Sequence, residues 1–205
     1  MFLSPETGPA ILSALAKGQF RGEGSYAAVW EYRGAALKLT RDAATSTMAQ
    51  MLVETGVPGL PVIHSVTLDI GYEEGSHYDA VFMEILKPIS ERKFAELEEA
   101  YARARTRAVT RYKRIRRQSI AVARFMAEEI ARIRDRQLSQ ANRDALVTGL
   151  CWLADFMESN GFCADFGNRR NWMVNTEGAV VIADPVVARI RKLDAEGSLG
   201  TPLSW

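Results

Sequence analysis

Residues 162–185 read FCADFGNRRNWMVNTEGAVVIADP, and this stretch decides the fold. Two short apolar runs, at 171–174 and 179–183, flank the turn sequence NTEG at 175–178, which predicts two strands joined in a hairpin. Three polar residues accompany this hairpin: Asp165 precedes it, Asn171 begins its first strand, and Asp184 directly follows its second strand. The pattern predicts that two carboxylates and one amide are held close together.

An acid, an amide and a second acid in this order suit phosphoryl transfer. One carboxylate orients or deprotonates the attacking hydroxyl, while the amide and the other carboxylate hold the metal that bridges the phosphates. We expect Asp165 in the first role and Asn171 and Asp184 in the second. The alternative is two turn aspartates that merely flank a hairpin.

The letters D-F-G at 165–167 also spell a known metal-binding element. That alignment would need a catalytic Asp and its Asn roughly 15 to 20 residues upstream. The upstream stretch has the apolar periodicity of a helix and holds only Asp144 and Asp155. Asp184, which follows an apolar strand and precedes Pro185, suits the metal role better.

Near the N-terminus, the glycine-rich stretch GEGSYAAV at 22–29 lies between two predicted strands. It matches the pattern G-x-G-x-x-G-x-V, with Ala27 in place of the third glycine. Glycines allow backbone N–H groups to approach phosphate oxygens closely. The predicted nucleotide contacts here are Gly22, Gly24, Ser25 and Val29. The alternative is an ordinary hairpin turn.

The next predicted strand, 35–40, places Lys38 between Leu37 and Leu39. Strand alternation turns the leucines to one face and the lysine to the other, beneath the glycine-rich stretch, where its ammonium can hold phosphate oxygens. We expect Glu54, near the end of the following helix, to pair with Lys38. The alternatives are a lysine on a solvated strand face and a glutamate on the surface.

The rest of the chain divides into a strand-rich part and a helical part. Strands are predicted at 20–31, 35–40, 60–70 and 80–85, with one helix at 42–55. Residues 90–140 contain no Gly or Pro and predict a helical hairpin, broken near 106–110 or 118–119. A last helix is predicted at 141–159, with Leu146, Leu150, Leu153 and Met157 on one face.

The composition is that of one globular domain, with 205 residues of which 47% are apolar and 25% charged. No apolar run approaches the roughly 20 residues of a membrane span, and residues 1–19 lack the pattern of a signal peptide. We therefore expect a cytoplasmic protein without membrane contact. Cys151 and Cys163 are the only cysteines, and we expect both to be buried thiols.

Charge is distributed unevenly along the chain. Residues 101–140 hold twelve Lys or Arg and three acids, so this segment carries +9 and the rest of the chain −8. Such helices can bind an acidic protein or nucleic acid, and the alternative is a solvated helical face. Aromatic residues for base stacking are few, namely Tyr101, Tyr112 and Phe125.

With these residues the chain resembles the protein-kinase-like superfamily, most closely the small early Ser/Thr protein kinases of tailed bacteriophages. The phrases NWMV at 171–174 and VIADP at 181–185 carry the narrower likeness. The resemblance covers roughly residues 18–86 and 142–187. It implies an ATP- and Mg²⁺-dependent kinase that transfers the γ-phosphate to Ser or Thr of host proteins in the host cytoplasm.

The resemblance also implies an α+β fold with two lobes. Residues 1–86 would form an N-terminal lobe of antiparallel sheet with one helix, and would end in a hinge at 83–86 where Glu84 and Leu86 receive adenine. Residues 87–141 would be a basic helical insertion. Residues 142–205 would form a minimal C-terminal lobe with the catalytic loop and the metal-binding aspartate.

Several departures from the family pattern surround Asp165. The spacing from Asp165 to Asn171 is one residue longer than usual, and Cys163 and Ala164 replace His-Arg. Gly167 stands where a lysine often contacts the γ-phosphate. We expect Arg169 or Arg170 to supply that charge.

Only 21 residues follow Asp184, so we expect no activation segment and no helical platform for a peptide. The insertion would then choose the substrate. Two alternatives to a protein kinase stay open. One is a catalytically idle pseudokinase that binds and inhibits a host factor through its basic helices, and the other is a small-molecule phosphotransferase.

Overall fold

An antiparallel sheet occupies the N-terminal part of the computed structural model, which describes residues 2–3, 7–24, 26–73, 76–133 and 138–187. Its strands are β1 (Phe2–Leu3), β2 (Gln19–Glu23), β3 (Ala27–Tyr32), β4 (Ala35–Thr40), β5 (Ile63–Glu73) and β6 (Ser76–Met83). Their order in the sheet is β1-β5-β6-β4-β3-β2. The predicted strands are confirmed, and the predicted 20–31 segment is split by the glycine-rich turn.

Two helices cover opposite faces of this sheet. Helix α1 (Pro9–Lys17), which sequence reasoning did not predict, packs Ile11 and Ala14 against the side that carries Leu37 and Leu39. Helix α2 (Ala43–Thr55) packs against the other side. The bounds of α2 match the prediction, because Asp42 accepts a hydrogen bond from the Ala44 N–H at its start and Gly56 ends it in the left-handed region.

The helical part consists of α3 (Glu91–Arg111), α4 (Ile115–Arg132) and α5 (Gln140–Asn160). The predicted hairpin is confirmed, but its break lies at 112–114. Thr106 and Thr110 lie within α3, where each hydroxyl donates to the carbonyl four residues earlier. The Gln118 side chain reaches back and donates to the Tyr112 carbonyl at 2.6 Å, which fixes the turn between the two helices.

A continuous core joins the three helices to the sheet. Helix α3 contributes a seam of mostly small buried residues, Leu97, Ala100, Ala104 and Ala108, and α4 packs against it. The predicted face of α5 is confirmed, since Leu146, Leu150, Leu153 and Met157 are all buried. These contacts hold α3 and α4 firmly beside the C-terminal segments.

Five short strands complete the fold: β7 (Lys87–Pro88), β8 (Cys163–Ala164), β9 (Trp172–Val174), β10 (Val180–Ile182) and β11 (Val186–Val187). The predicted hairpin is β9–β10, in which residues 172, 173 and 174 face 182, 181 and 180. Strand β7 pairs with the outer edge of β9, and β8 pairs with β11. The two-stranded β8–β11 ladder brings the segment before Asp165 beside the segment after Asp184.

The cysteine prediction was wrong for Cys151, whose residue is exposed on α5, whereas Cys163 is half-buried. Among the helices of the described residues, none is long and apolar enough to cross a membrane.

Candidate functional site

Lys38 lies on the face of β4 that looks toward α2. It is 8% exposed and stands opposite Val29 of β3 and Val81 of β6. Leu37 and Leu39 are buried on the other face, so the predicted alternation along this strand is confirmed. A lysine this well covered requires a compensating partner.

That partner is Asp184. The Nζ of Lys38 lies 2.7 Å from Oδ1 of Asp184, and the two side chains are 10% and 41% exposed. The Thr45 hydroxyl, on the first turn of α2, lies 3.2 Å from the same Oδ1. It also lies 3.0 Å from Oδ2 of Asp42, the residue that caps α2. A charged pair and the start of a helix therefore meet at one point.

The structure does not bring Glu54 to Lys38, which corrects the pair expected from the sequence. Glu54 is exposed on the last turn of α2 and forms no ion pair within the described residues. The reason is local, because α2 begins three residues after β4 ends. Its first turn, and not its last, reaches the lysine.

Backbone hydrogen bonds connect Asp165, Asn171 and Asp184. The Asp165 N–H donates to the Pro185 carbonyl at 2.8 Å, and the Ala183 N–H donates to the Asn171 carbonyl at 2.8 Å. The Asn171 amide Nδ2 donates to the Asp165 carbonyl at 2.7 Å. The three predicted site residues thus belong to one hydrogen-bonded unit, as the hairpin pattern predicted.

The side chains of this unit differ in exposure. Asp165 is exposed, and one carboxylate oxygen accepts the Gly167 N–H at 3.2 Å. Asn171 and Asp184 are half-buried. The Asn171 Nδ2 donates to the Asp165 carbonyl. The Oδ1 of the same amide accepts no hydrogen bond from the described residues, so it is open to a ligand.

Those groups fit a magnesium ion carried by a nucleotide. Magnesium in phosphoryl-transfer sites takes one or two carboxylates together with phosphate and water oxygens. Asp184 offers a carboxylate and Asn171 an amide oxygen. Within the described residues no three His, Cys, Asp or Glu side chains converge as in a metal site built of protein alone.

Tyr101 is a residue of the site that sequence reasoning missed. It comes from α3, and its ring packs on Gly167, where a Cβ would lie 3.0 Å from the Tyr101 hydroxyl. Burial raises the pKa of Tyr101, the charge of Arg105 lowers it, and the charge of Asp165 raises it again. The tyrosine therefore stays a neutral hydrogen-bonding group beside the Asp165 loop. In the sequence alone, the 3.6-residue periodicity of the helix identifies Tyr101 only as a residue that faces the core.

The loop between Asp165 and Asn171 is anchored to the hydrophobic core. The indole N–H of Trp172, a buried residue, donates to the Phe166 carbonyl at 2.9 Å. Phe166 is 2% exposed and belongs to the main core. The backbone between Asp165 and Asn171 is thus fixed, despite the extra residue that its spacing contains.

The two arginines of this loop have different environments. Arg169 pairs with Glu91 at the start of α3, with Nη1 3.2 Å from Oε1, and donates to the Ile89 carbonyl at 3.0 Å. It anchors the loop to α3. The guanidinium of exposed Arg170 makes no contact of this kind with the described part of the chain, so Arg170 is the arginine left to meet a ligand.

The glycine-rich stretch forms the β2–β3 hairpin. Gly22 adopts φ 147° and pairs with Val29, which is half-buried beside Lys38. The Gly24 N–H donates to the Ala27 carbonyl at 2.7 Å, so this donor closes the turn. Ser25, also predicted to contact nucleotide, lies outside the described residues.

The predicted hinge connects β6 with β7. The Glu84 N–H donates to the Val62 carbonyl, and the Glu84 carboxylate accepts the Val62 N–H, both at 2.9 Å. Leu86 is half-buried and packs on the main core. The Glu84 side chain is therefore used to hold the hinge against residue 62.

Asn142 and Gly59 support the hairpin and were also missed. The buried Asn142 side chain on α5 donates to the Val180 carbonyl at 3.0 Å and accepts the Val180 N–H at 3.1 Å. Gly59, at φ 81°, accepts the Ile182 N–H at 2.9 Å through its carbonyl. A Cβ at Gly59 would lie 2.3 Å from the Ala145 carbonyl oxygen, so only glycine fits.

No family model matches this chain, and a search of curated proteins finds no similar one.

Proposed function

We propose that this protein is an ATP- and Mg²⁺-dependent phosphotransferase of the protein kinase type that acts on Ser or Thr hydroxyls of proteins. One observation carries the proposal. A well-covered ammonium from the sheet and a carboxylate that follows the hairpin lie 2.7 Å apart. The segment that precedes the hairpin carries the exposed Asp165 carboxylate, and its backbone is hydrogen-bonded to Asn171 and Pro185, on either side of the hairpin.

Each group has a role that follows from its surroundings. Asp165 is exposed, so it can accept the proton of an acceptor hydroxyl while that oxygen bonds to the γ-phosphorus and the bond to the β-phosphate oxygen breaks. Lys38 can hold phosphate oxygens as a covered cation. The Asn171 amide oxygen and the Asp184 carboxylate can hold the magnesium ion, which supplies charge neutralisation on the phosphates when bound.

Arg170 extends this set toward the transferred group. It lies on the same short turn as Asn171, and its side chain is exposed. A guanidinium there can bind the oxygens of the moving phosphoryl group, which is the task that a lysine at position 167 would otherwise have. Arg169 has a supporting role, since it ties the loop to α3.

An idle binding protein is the second candidate, and two observations favour it. The Gly24 N–H is taken up by its own turn, which removes one phosphate donor from the glycine hairpin. Lys38 and Asp184 also satisfy each other without a ligand. Both features reduce the free energy gained when a nucleotide binds. The ion pair can nevertheless open when a phosphate binds Lys38 and a metal ion binds Asp184. A small-molecule phosphotransferase is the third candidate, and it differs only in the acceptor.

Transfer of label from γ-labelled ATP tests the proposal. The full-length protein is incubated with Mg²⁺ and a host-cell lysate, beside an Asp165→Asn variant. The matched control is Asp155→Asn, because Asp155 is an exposed aspartate on α5 whose contact is an exposed ion pair with Arg124 at 3.3 Å. We expect labelled proteins with the parent and the control, and a loss of about two to four orders of magnitude with Asp165→Asn.

Label in proteins that persists with Asp165→Asn would remove the assigned role of that residue. Label found only in small molecules would favour the third candidate. An absence of transfer by a parent protein that still binds ATP would favour the idle fold.

A further inference from the structure

Two groups stand out among the cations of the α3–α4 hairpin. The first group is neutralised by neighbouring acids. Arg103, Arg107 and Arg132 pair with Glu99, Glu128 and Glu129, and Arg124 pairs with Asp155 and Glu158. These arginines have partners within the fold, so they serve helix packing.

The second group surrounds the turn between the helices. We call the exposed residues Arg111, Lys113, Arg114 and Arg117 the basic turn. Residues 100–127 contain nine Lys or Arg and no acid. Within the described part of the chain the four members form no ion pair, and the Arg111 guanidinium only stacks 5.7 Å from the centre of the Tyr112 ring. Four unneutralised cations on one turn create a positive surface potential.

The two helices that the basic turn joins both contact the segment around Asp165. Helix α4 packs on β8, where burial raises the pKa of the Cys163 thiol and the neighbouring Ser119 hydroxyl lowers it. Arg116 donates to the Glu158 carbonyl at 2.6 Å, which fixes the start of α4 on the end of α5. On the other arm of the hairpin, Tyr101 packs on Gly167. Both helices of the hairpin thus contact the segment that carries Asp165.

The separation can be bounded. Two residues of extended chain join Cys163 to Asp165, about 7 Å, and the first turns of α4 from residue 114 to 119 add about 8 Å. With Ser119 beside Cys163, the α4 members of the basic turn, Arg114 and Arg117, lie within about 20 Å of Asp165, a distance that about six extended residues span.

We propose that the basic turn binds acidic side chains of the protein substrate and so directs phosphate transfer to Ser or Thr with Asp or Glu within about six residues. This proposal rests on the proposed function for the acceptor hydroxyl. The binding of acidic side chains does not depend on that function. It requires only the four cations of the basic turn, which carboxylates on a flexible peptide can reach.

The aromatic side chains of the hairpin favour an acidic polypeptide over nucleic acid. Tyr101, Tyr112 and Phe125 are all half-buried against the main core. The Arg107 guanidinium covers the Phe125 ring at 4.1 Å, and Arg111 lies over Tyr112. Two of the three rings are therefore already covered by arginines, which leaves little aromatic surface on which bases can stack.

Two peptides test the substrate class with the full-length protein, ATP and Mg²⁺. Each contains a single serine, and one carries four glutamates within six residues of it where the other carries glutamines. At low ionic strength we expect kcat/KM to be about tenfold higher for the glutamate peptide, and we expect the difference to shrink in about 0.5 M salt because exposed charges are screened.

A variant pair assigns the effect to the turn. The double variant Arg114→Gln with Arg117→Gln removes two charges of the basic turn. Arg114 stands at the N-terminus of α4, where a cation is unfavourable to the helix dipole, so its replacement does not weaken the helix. The control, Lys17→Gln with Arg33→Gln, removes two exposed charges from the sheet side of the protein. We expect a loss of about three- to tenfold on the glutamate peptide for the first variant only, and no change for either variant on the glutamine peptide.

Direct binding keeps this test separate from turnover. Fluorescence anisotropy compares the labelled glutamate peptide, the glutamine peptide and a 20-nucleotide single-stranded DNA. Equal rates and equal binding for the two peptides would overturn the proposal. Tighter binding of DNA than of the glutamate peptide, lost in the Arg114/Arg117 variant, would overturn it in favour of nucleic acid. If no peptide accepts phosphate, the proposed function falls; preferential binding of the glutamate peptide that the same variant loses would still support the acidic docking surface.

Discussion

Removing either member of the Lys38–Asp184 pair has unequal consequences for stability. Asp184→Ala leaves the Lys38 ammonium, on a side chain that is 10% exposed, without its carboxylate. Lys38→Met leaves Asp184 on a side chain that is 41% exposed and still near the Thr45 hydroxyl. Water can solvate the orphaned carboxylate but reaches the orphaned ammonium poorly. We therefore expect Asp184→Ala to be the more destabilising change.

The magnitude follows from distance and exposure. At 2.7 Å and an effective dielectric constant of about 20, the attraction between unit charges is about 6 kcal/mol. Desolvation of the lysine offsets most of that sum, and the exposure of Asp184 reduces it further. We expect Asp184→Ala to lower the free energy of unfolding by about 2 kcal/mol and Lys38→Met by less than about 1 kcal/mol.

A double-mutant cycle without nucleotide measures this asymmetry. Urea unfolding at neutral pH, followed by tryptophan fluorescence, reports the buried Trp172. The double variant should be about as stable as Lys38→Met alone, because no unpaired cation then remains. The coupling energy of the cycle then equals the cost of Asp184→Ala in magnitude, about 2 kcal/mol. The argument from burial would be refuted if Lys38→Met cost as much as Asp184→Ala, or if the coupling were zero.

Two further predictions use residues beside the site. Gly167→Ala should lower the free energy of unfolding by about 1 kcal/mol because its Cβ meets the Tyr101 ring at 3.0 Å. Urea unfolding checks this, with Gly24→Ala as the control, since a Cβ there would make only an ordinary contact at 3.9 Å. An equal loss from Gly167→Ala in a Tyr101→Ala background would contradict the prediction. Iodoacetamide at pH 7.5, followed by mass spectrometry, should modify exposed Cys151 well before Cys163, since burial raises the pKa of the Cys163 thiol and leaves little thiolate. A raised folded-state pKa also means that unfolding releases a proton above the ordinary thiol pKa of about 8.5, so the stability that neutral Cys163 contributes should fall as pH rises beyond that value, and its replacement by serine should flatten the alkaline limb of the stability profile.

The sequence predicted those parts of the fold that depend on local patterns. Strand β4 alternates, α5 has a regular apolar face, and the turn at 175–178 has an asparagine and a glycine in the positions that the hairpin needs. Asn175 accepts the Glu177 and Ala179 N–H groups through its side chain, and Gly178 adopts φ 83°. Each of these signals lies within a few residues, so no knowledge of the tertiary structure was required.

Other parts depend on contacts between distant segments. Strands β7, β8 and β11 have two residues each, and such strands exist only because a partner lies beside them. Asn142 reads as an ordinary polar residue near a helix start, yet it hydrogen-bonds both backbone groups of Val180. The prediction that Glu54 pairs with Lys38 was wrong for the same reason. The orientation of α2 brings its first turn to Lys38 and keeps Glu54, on its last turn, away, so that Asp184 becomes the partner.

Thr45 connects the start of α2 with the site. Its hydroxyl has one proton and lies 3.0 Å from an Asp42 oxygen and 3.2 Å from an Asp184 oxygen, so it can donate to only one of them at a time. Asp42 already receives the Ala44 N–H at the start of α2 and has a lesser need of the hydroxyl. A hydroxyl turned toward Asp184 adds a hydrogen bond to the carboxylate that pairs with Lys38. The start of α2 therefore contacts the proposed metal ligand, and rotation of the Thr45 hydroxyl moves its hydrogen bond between Asp42 and Asp184.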